Sequence, residues 1–114
     1  MQRDWVLIRE ILSAASRKAP GEKMMHTEIS GHFLMLVGDH IAALHDAGCL
    51  NAVVIRAHGY VMWAAVNEMT KEGWELLQTL NCSQTMARIV ELAEKKELSF
   101  DFVRRMGWHS AASA

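Results

Sequence analysis

The chain has 114 residues, half of them apolar, with 12 basic residues against 13 acidic ones. That length holds one domain around one core, and the apolar content excludes global disorder. The charge balance excludes a general attraction to polyanions, which needs a clustered basic surface.

The opening, MQRDWVLIRE, is charged on both sides of a short apolar run, unlike a signal peptide. No apolar run reaches the ~18 residues of a membrane span. Cys49 and Cys82 form no CxxC pair and read as reduced thiols of a cytoplasmic protein. Asp4 can cap a first helix, in which Trp5, Leu7, Ile8, Ile11, Leu12 and Ala15 form an apolar stripe. Ala19-Pro20-Gly21 ends it. His26–Ile29 suits one small strand, preceded by Met24-Met25 without clear periodicity, and Ser30-Gly31 breaks it.

From residue 32 to 47 the spacing is helical again, with Phe33, Leu36, Val37, His40, Ile41, Leu44 and Ala47 on one face. Gly38 lies inside, so a bend or two successive helices are both open. Gly48 suits a left-handed helix end. Residues 52–56 and 60–66 are β-branched and aromatic around Ala57-His58-Gly59, the pattern of a hairpin or wing; Trp63 alternates with Val61 and is a candidate for the core side. Thr70 can cap a third helix burying Trp74, Leu77 and Leu80. Ser83 can cap a fourth with Met86, Ile89, Val90 and Ala93, and Ser99 a short last turn with Phe100, Val103 and Met106. The expected fold is mainly α with a small β-hairpin: a winged helix-turn-helix over residues 1–108, of which 83–108 are a helical extension, with a flexible tail at 109–114.

Three stretches, "RDWVLIREIL", "HIAALHDAGCL" and "MTKEGWELLQTL", together with "LSFDFVRRM", resemble the family called domain of unknown function 2513. Cys49 before Leu50 departs from the family pattern, where a second aliphatic residue is usual. The resemblance implies a winged-helix fold and an origin in phages or mobile elements. It implies no activity and supplies no catalytic residues.

The chemistry-bearing residues form no familiar constellation. His40 and His45 are five apart, and His26 and His32 six apart across a Gly, whereas helical metal ligands pair at i,i+4. No metal site and no cofactor are expected. His40 reads as a core-edge residue with one hydrogen bond, and His45 and His109 as surface residues. Cys49 follows a helix C-terminus, where the dipole disfavours a thiolate, so it reads as a small buried side chain. No glycine-rich phosphate loop is present, and a non-enzyme is expected.

Residues 24–55 contain no Lys or Arg, yet they span the helix that a winged-helix protein places in DNA. Phosphate neutralisation and guanine readout need those cations. The expected function is therefore a protein-binding module; with the phage origin that the resemblance implies, it would modulate or inhibit a host protein such as a CRISPR defence complex. Its contact residues would be His32, Met35, Asp39, Ala42, His45 and Asp46, with Met24 and Met25 as further candidates for an adaptable surface. The alternative is a DNA-binding transcriptional regulator, dimeric through the fourth helix, using Arg56, His58, Arg104 and Arg105. A homodimer is open under either reading.

Overall fold

The computed structural model describes residues 3–113, with side chains through residue 107. The side chains of the expected tail, that of His109 among them, lie outside the described residues. Five helices and one three-stranded antiparallel sheet follow one another in the order α1 (Trp5–Ser16), β1 (Met24–Met25), a 3-10 turn (His26–Glu28), α2 (Leu34–Asp46), β2 (Leu50–Ala57), β3 (Tyr60–Met69), α3 (Lys71–Asn81), α4 (Ser83–Ala93) and α5 (Phe100–Ser113). Strand order in the sheet is β1-β3-β2.

The helix starts follow from local chemistry. The Asp4 carboxylate accepts the Leu7 N–H at 3.1 Å, and the Thr70 hydroxyl accepts the Gly73 N–H at 3.2 Å, each satisfying a donor that the first helical turn leaves without a partner. Ser99 does the same for Phe102 at 3.0 Å, opening a helix longer than the single turn expected. At α4 the cap is Cys82, one residue before Ser83. Helix α2 ends in a left-handed Gly48 (φ +79°), with Gly48 N–H on the His45 carbonyl and Cys49 N–H on that of Leu44, a paired closure that ties up two orphaned carbonyls. His58 (φ 54°) and Gly59 (φ 80°) make a two-residue turn with both residues left-handed. That turn matches the twist of the strands it joins.

The small strand is Met24–Met25, not 26–29: Met24 pairs with Val66 and Met25 with Ala65. The 3-10 turn takes His26–Glu28 because Glu28 turns back, accepting the Met25 N–H at 2.6 Å and meeting Lys18 at 2.5 Å. Met24 is fully buried, so it belongs to the core and not to an adaptable surface.

α2 is one continuous helix through Gly38. A Cβ there would sit 2.9 Å from Val61 Cγ1, so the missing side chain lets the helix lie directly on β3. That contact explains a glycine whose helix propensity is about 1 kcal/mol worse than alanine. Around this layer, α1 packs on α2, α3 and β3, and α3 carries α4 and α5. Leu7, Ile8, Ile11, Leu12, Ile41, Leu44, Leu50, Leu76 and Leu80 fill the centre. Trp74 is a correction: it is 46% exposed, because α3 turns Gly73, Leu76, Leu77 and Leu80 inward instead. Trp63 is half-buried.

His40 is also corrected. It is fully buried and makes two hydrogen bonds: Nε2 accepts the Asp4 N–H at 2.9 Å, and Nδ1 donates to the Leu36 carbonyl at 2.8 Å. The backbone donor and the carbonyl together require the neutral imidazole with its proton on Nδ1. The ring thus ties the start of α1 to the middle of α2. His40→Ala is expected to lower stability by about 2–4 kcal/mol, through an opened cavity and a stranded Asp4 N–H. Urea unfolding measures it, and a loss under ~1 kcal/mol would mean that the ring is dispensable.

Candidate interaction surface

The exposed surface of α2 begins before its first turn. Phe33 is the N-cap, extended (φ −64°, ψ 136°) and without a side-chain capping bond. It is 85% exposed, and Leu34 and Met35 behind it are half exposed. The helical spacing that places Phe33 on the buried face does not apply, because the residue lies outside the helix. Gly31 (φ +83°) turns the chain just ahead of it. Leaving a phenylalanine in water forgoes about 1.5–3 kcal/mol of burial, and clustered exposed apolar side chains mark contact surfaces. Leu36, one residue on, lines a cleft of about 420 Å³ with Val6 and Val90.

The six residues expected on this surface divide. Met35 is half exposed and Asp39 partly buried; Met35, Asp39 and Asp46 fall on one side of α2 by helical spacing. Ala42 is a correction: it is buried, 3% exposed, because it follows Gly38 by four residues and so faces the sheet with it. His32 is held against α1 by a 2.9 Å contact between Nε2 and Glu10. His45 is exposed and its Nδ1 accepts the Ala52 N–H at 3.2 Å. Asp46 meets Arg56 at 3.8 Å. Ala47, expected on the buried face, is exposed. Phe33 and Leu34 are the residues that sequence reasoning missed. The available signal was a Phe-Leu-Met run one residue after the Ser30-Gly31 break.

The cations of the alternative nucleic-acid site are dispersed and matched. Arg56 of the hairpin faces Asp46, while Arg104 meets Asp101 at 2.6 Å and Glu75 at 3.7 Å, and Arg105 meets Asp101 at 3.1 Å. The first lies on β2 and the other two on α5, and His58 sits in the hairpin turn. A phosphate would have to compete with carboxylates already in place.

The two thiols are set oppositely. Burial pushes the Cys49 thiol up to about 11, with the Glu72 and Asp101 carboxylates adding to it and Arg104 opposing. Cys82 is exposed and its pKa is lowered by hydrogen bonds from the Thr85 hydroxyl and the Thr85 N–H. Since the thiolate is the reacting form, iodoacetamide at pH 8 is expected to label Cys82 alone in the folded protein and both thiols in urea. Equal labelling of Cys49 in the native state, by mass spectrometry, would contradict its burial. Histidines are also dispersed: His26 contacts the Ala64 backbone, and His32, His40 and His45 have the partners given above. Among the described residues, no group of three His, Cys, Asp or Glu is placed to hold a metal ion. Nor is any helix among them long and apolar enough to cross a membrane.

A bundle of five helices on a small antiparallel sheet, with an apolar and cation-free helix end, is the class that these observations define. The family model described as hypothetical protein, DUF2513, matches residues 2–99. The chain belongs to that family. No curated protein and no solved structure matches it.

Proposed function

We propose that the protein is a non-catalytic, protein-binding module on a winged-helix scaffold, encoded by a phage or prophage and acting on a host protein. The order helix, short strand, turn, helix, hairpin supports the scaffold: α2 then occupies the place of a DNA-reading helix, and β2–β3 that of the wing. The observation that carries the function is Phe33, exposed at the head of α2 and followed by Leu34 and Met35, on a stretch without Lys or Arg. A duplex offers such a surface phosphates, which need cations. A protein offers it an apolar pocket, where aromatic anchors carry most of the binding free energy. Asp39, on the same side of α2 as Met35, suits a target with a basic rim, the character of a protein groove that otherwise holds nucleic acid.

Affinity capture from host lysate tests the reading. The expected result is a specific host protein retained by the wild type and lost with Phe33→Asp. A gel-shift series over genomic fragments at low salt is expected to stay blank. Salt-dependent binding to a palindromic site, weakened by Arg56→Ala, would replace this reading with that of a gene regulator.

A further inference from the structure

Among the described residues, β2 lies at a border of the sheet, eight residues long, with no strand beyond it. In an extended strand the N–H and C=O of alternate residues point to the same side. The Ala52 N–H bonds the His45 ring and not β3, and the two-residue turn closes on Ala57 and Tyr60. Both facts place Ala52, Val54 and Arg56 with their backbone groups on the open edge, and Val53, Ile55 and Ala57 toward β3. His45 covers the first of the open donors; Val54 and Arg56 are left.

The side chains around this edge are apolar. Val53 is 45% and Ile55 53% exposed, and they pair with Ala65 and Trp63 on the sheet face opposite Ala52 and Val54. Tyr60 and Met62 beside them are more than half exposed. Neither Pro nor Lys guards β2, the usual means by which proteins blunt such an edge. Its single charge, Arg56, is matched within the chain by Asp46.

We propose that β2 pairs antiparallel with β2 of a second copy, joining two three-stranded sheets into one of six strands. The dyad passes beside Ile55. Val54 of each copy then exchanges backbone hydrogen bonds with Arg56 of the other, Ile55 meets Ile55, and His45 marks where the pairing stops. A second copy is the occupant that fits because this strand is self-complementary about that axis. Charge does not oppose it: Arg56 arrives with its own counter-charge, and a net charge of −1 per chain gives little mutual repulsion. A strand edge buries less than the ~1,200 Å² typical of a stable interface, so the dimer is concentration-dependent. This surface is separate from the head of α2.

Sedimentation velocity on the full chain, from micromolar to near-millimolar protein, tests the pairing. The expected result is a monomer that converts to dimer with concentration, together with amide exchange at Val54 and Arg56 that slows as the dimer forms. Val53 and Ile55 amides, already bonded to β3, stay protected throughout. Ile55→Lys, on an exposed position that leaves the core intact, is expected to hold the protein monomeric; Val54→Pro removes a required donor and checks it independently. A monomer at every concentration overturns the proposal. So does a dimer that survives Ile55→Lys with Val54 and Arg56 exchanging freely, or one lost only with Phe33→Asp. Slowed exchange at Val54 and Arg56 caused by added extended peptides, without self-association, would assign the edge to a foreign strand and likewise overturn it.

Discussion

Replacing Gly73 with alanine is expected to destabilise the protein by about 3 kcal/mol or more, the upper range for inserting an atom into a filled site. Gly73 sits in the first turn of α3, and a Cβ on it would lie 1.9 Å from the Cys49 carbonyl oxygen and 3.0 Å from the carbonyl carbon. Those are backbone atoms at the junction of α2 and β2, and they cannot swing away as a side-chain end would. The junction is also tied down: the Thr70 hydroxyl donates to the Gly48 carbonyl at 2.6 Å, and the Thr70 N–H to that of Cys49 at 3.3 Å. On helix propensity alone the substitution would gain about 1 kcal/mol. The sign of the change therefore decides between local propensity and tertiary contact. Thermal and urea unfolding of Gly73→Ala, beside the exposed control Gln78→Ala, read it directly. A Tm drop of roughly 10 °C or more is expected for Gly73→Ala, and little change for the control. A Tm equal to or above wild type would show that α3 does not pack against Cys49 as described.

Phe33→Asp is expected to leave the fold intact and to hold or raise stability by up to about 1 kcal/mol, because the lost side chain is 85% exposed and makes no capping bond, while Asp is a favourable N-cap. Its effect falls on binding. An aromatic anchor at the centre of an interface is worth about 2 kcal/mol or more, a loss of at least about 30-fold in affinity. Titration calorimetry with the captured host protein measures it, and Phe33→Leu, which keeps part of the apolar contact, is expected to fall between. An unchanged affinity for Phe33→Asp would remove the head of α2 from the interface.

The features decided by neighbours in the chain were legible in the sequence. The caps at Asp4 and Thr70, the left-handed Gly48 and the His58-Gly59 turn are local chemistry. The stripe of α1 was read correctly for the same reason: one face is buried and 3.6-residue periodicity reports it. Features decided by distant partners were not. β1 exists because Val66 and Ala65 are present to pair with Met24 and Met25, so its position was misplaced to His26–Ile29. α2 is covered by β3, by α1 and by the 3-10 turn, so its buried arc is wider than one stripe and takes in Ala42. Phe33 failed in the opposite direction, since periodicity cannot tell the last residue before a helix from the first inside it. His40 looked like a core-edge residue because its second bond is to Asp4, far away in the chain. The interaction surface was half legible: the missing cations are plain in the sequence, while the apolar residues that take their place depend on where α2 begins.

The most direct test puts a probe at the head of α2 itself. Phe33 replaced by a photoreactive phenylalanine analogue keeps the aromatic ring at the exposed position, and irradiation in cells of the host records what lies against it. The account predicts a single major adduct to a host protein, absent when the analogue is placed at Arg17. Cross-links to DNA at Phe33, with no protein adduct above that control, would contradict it.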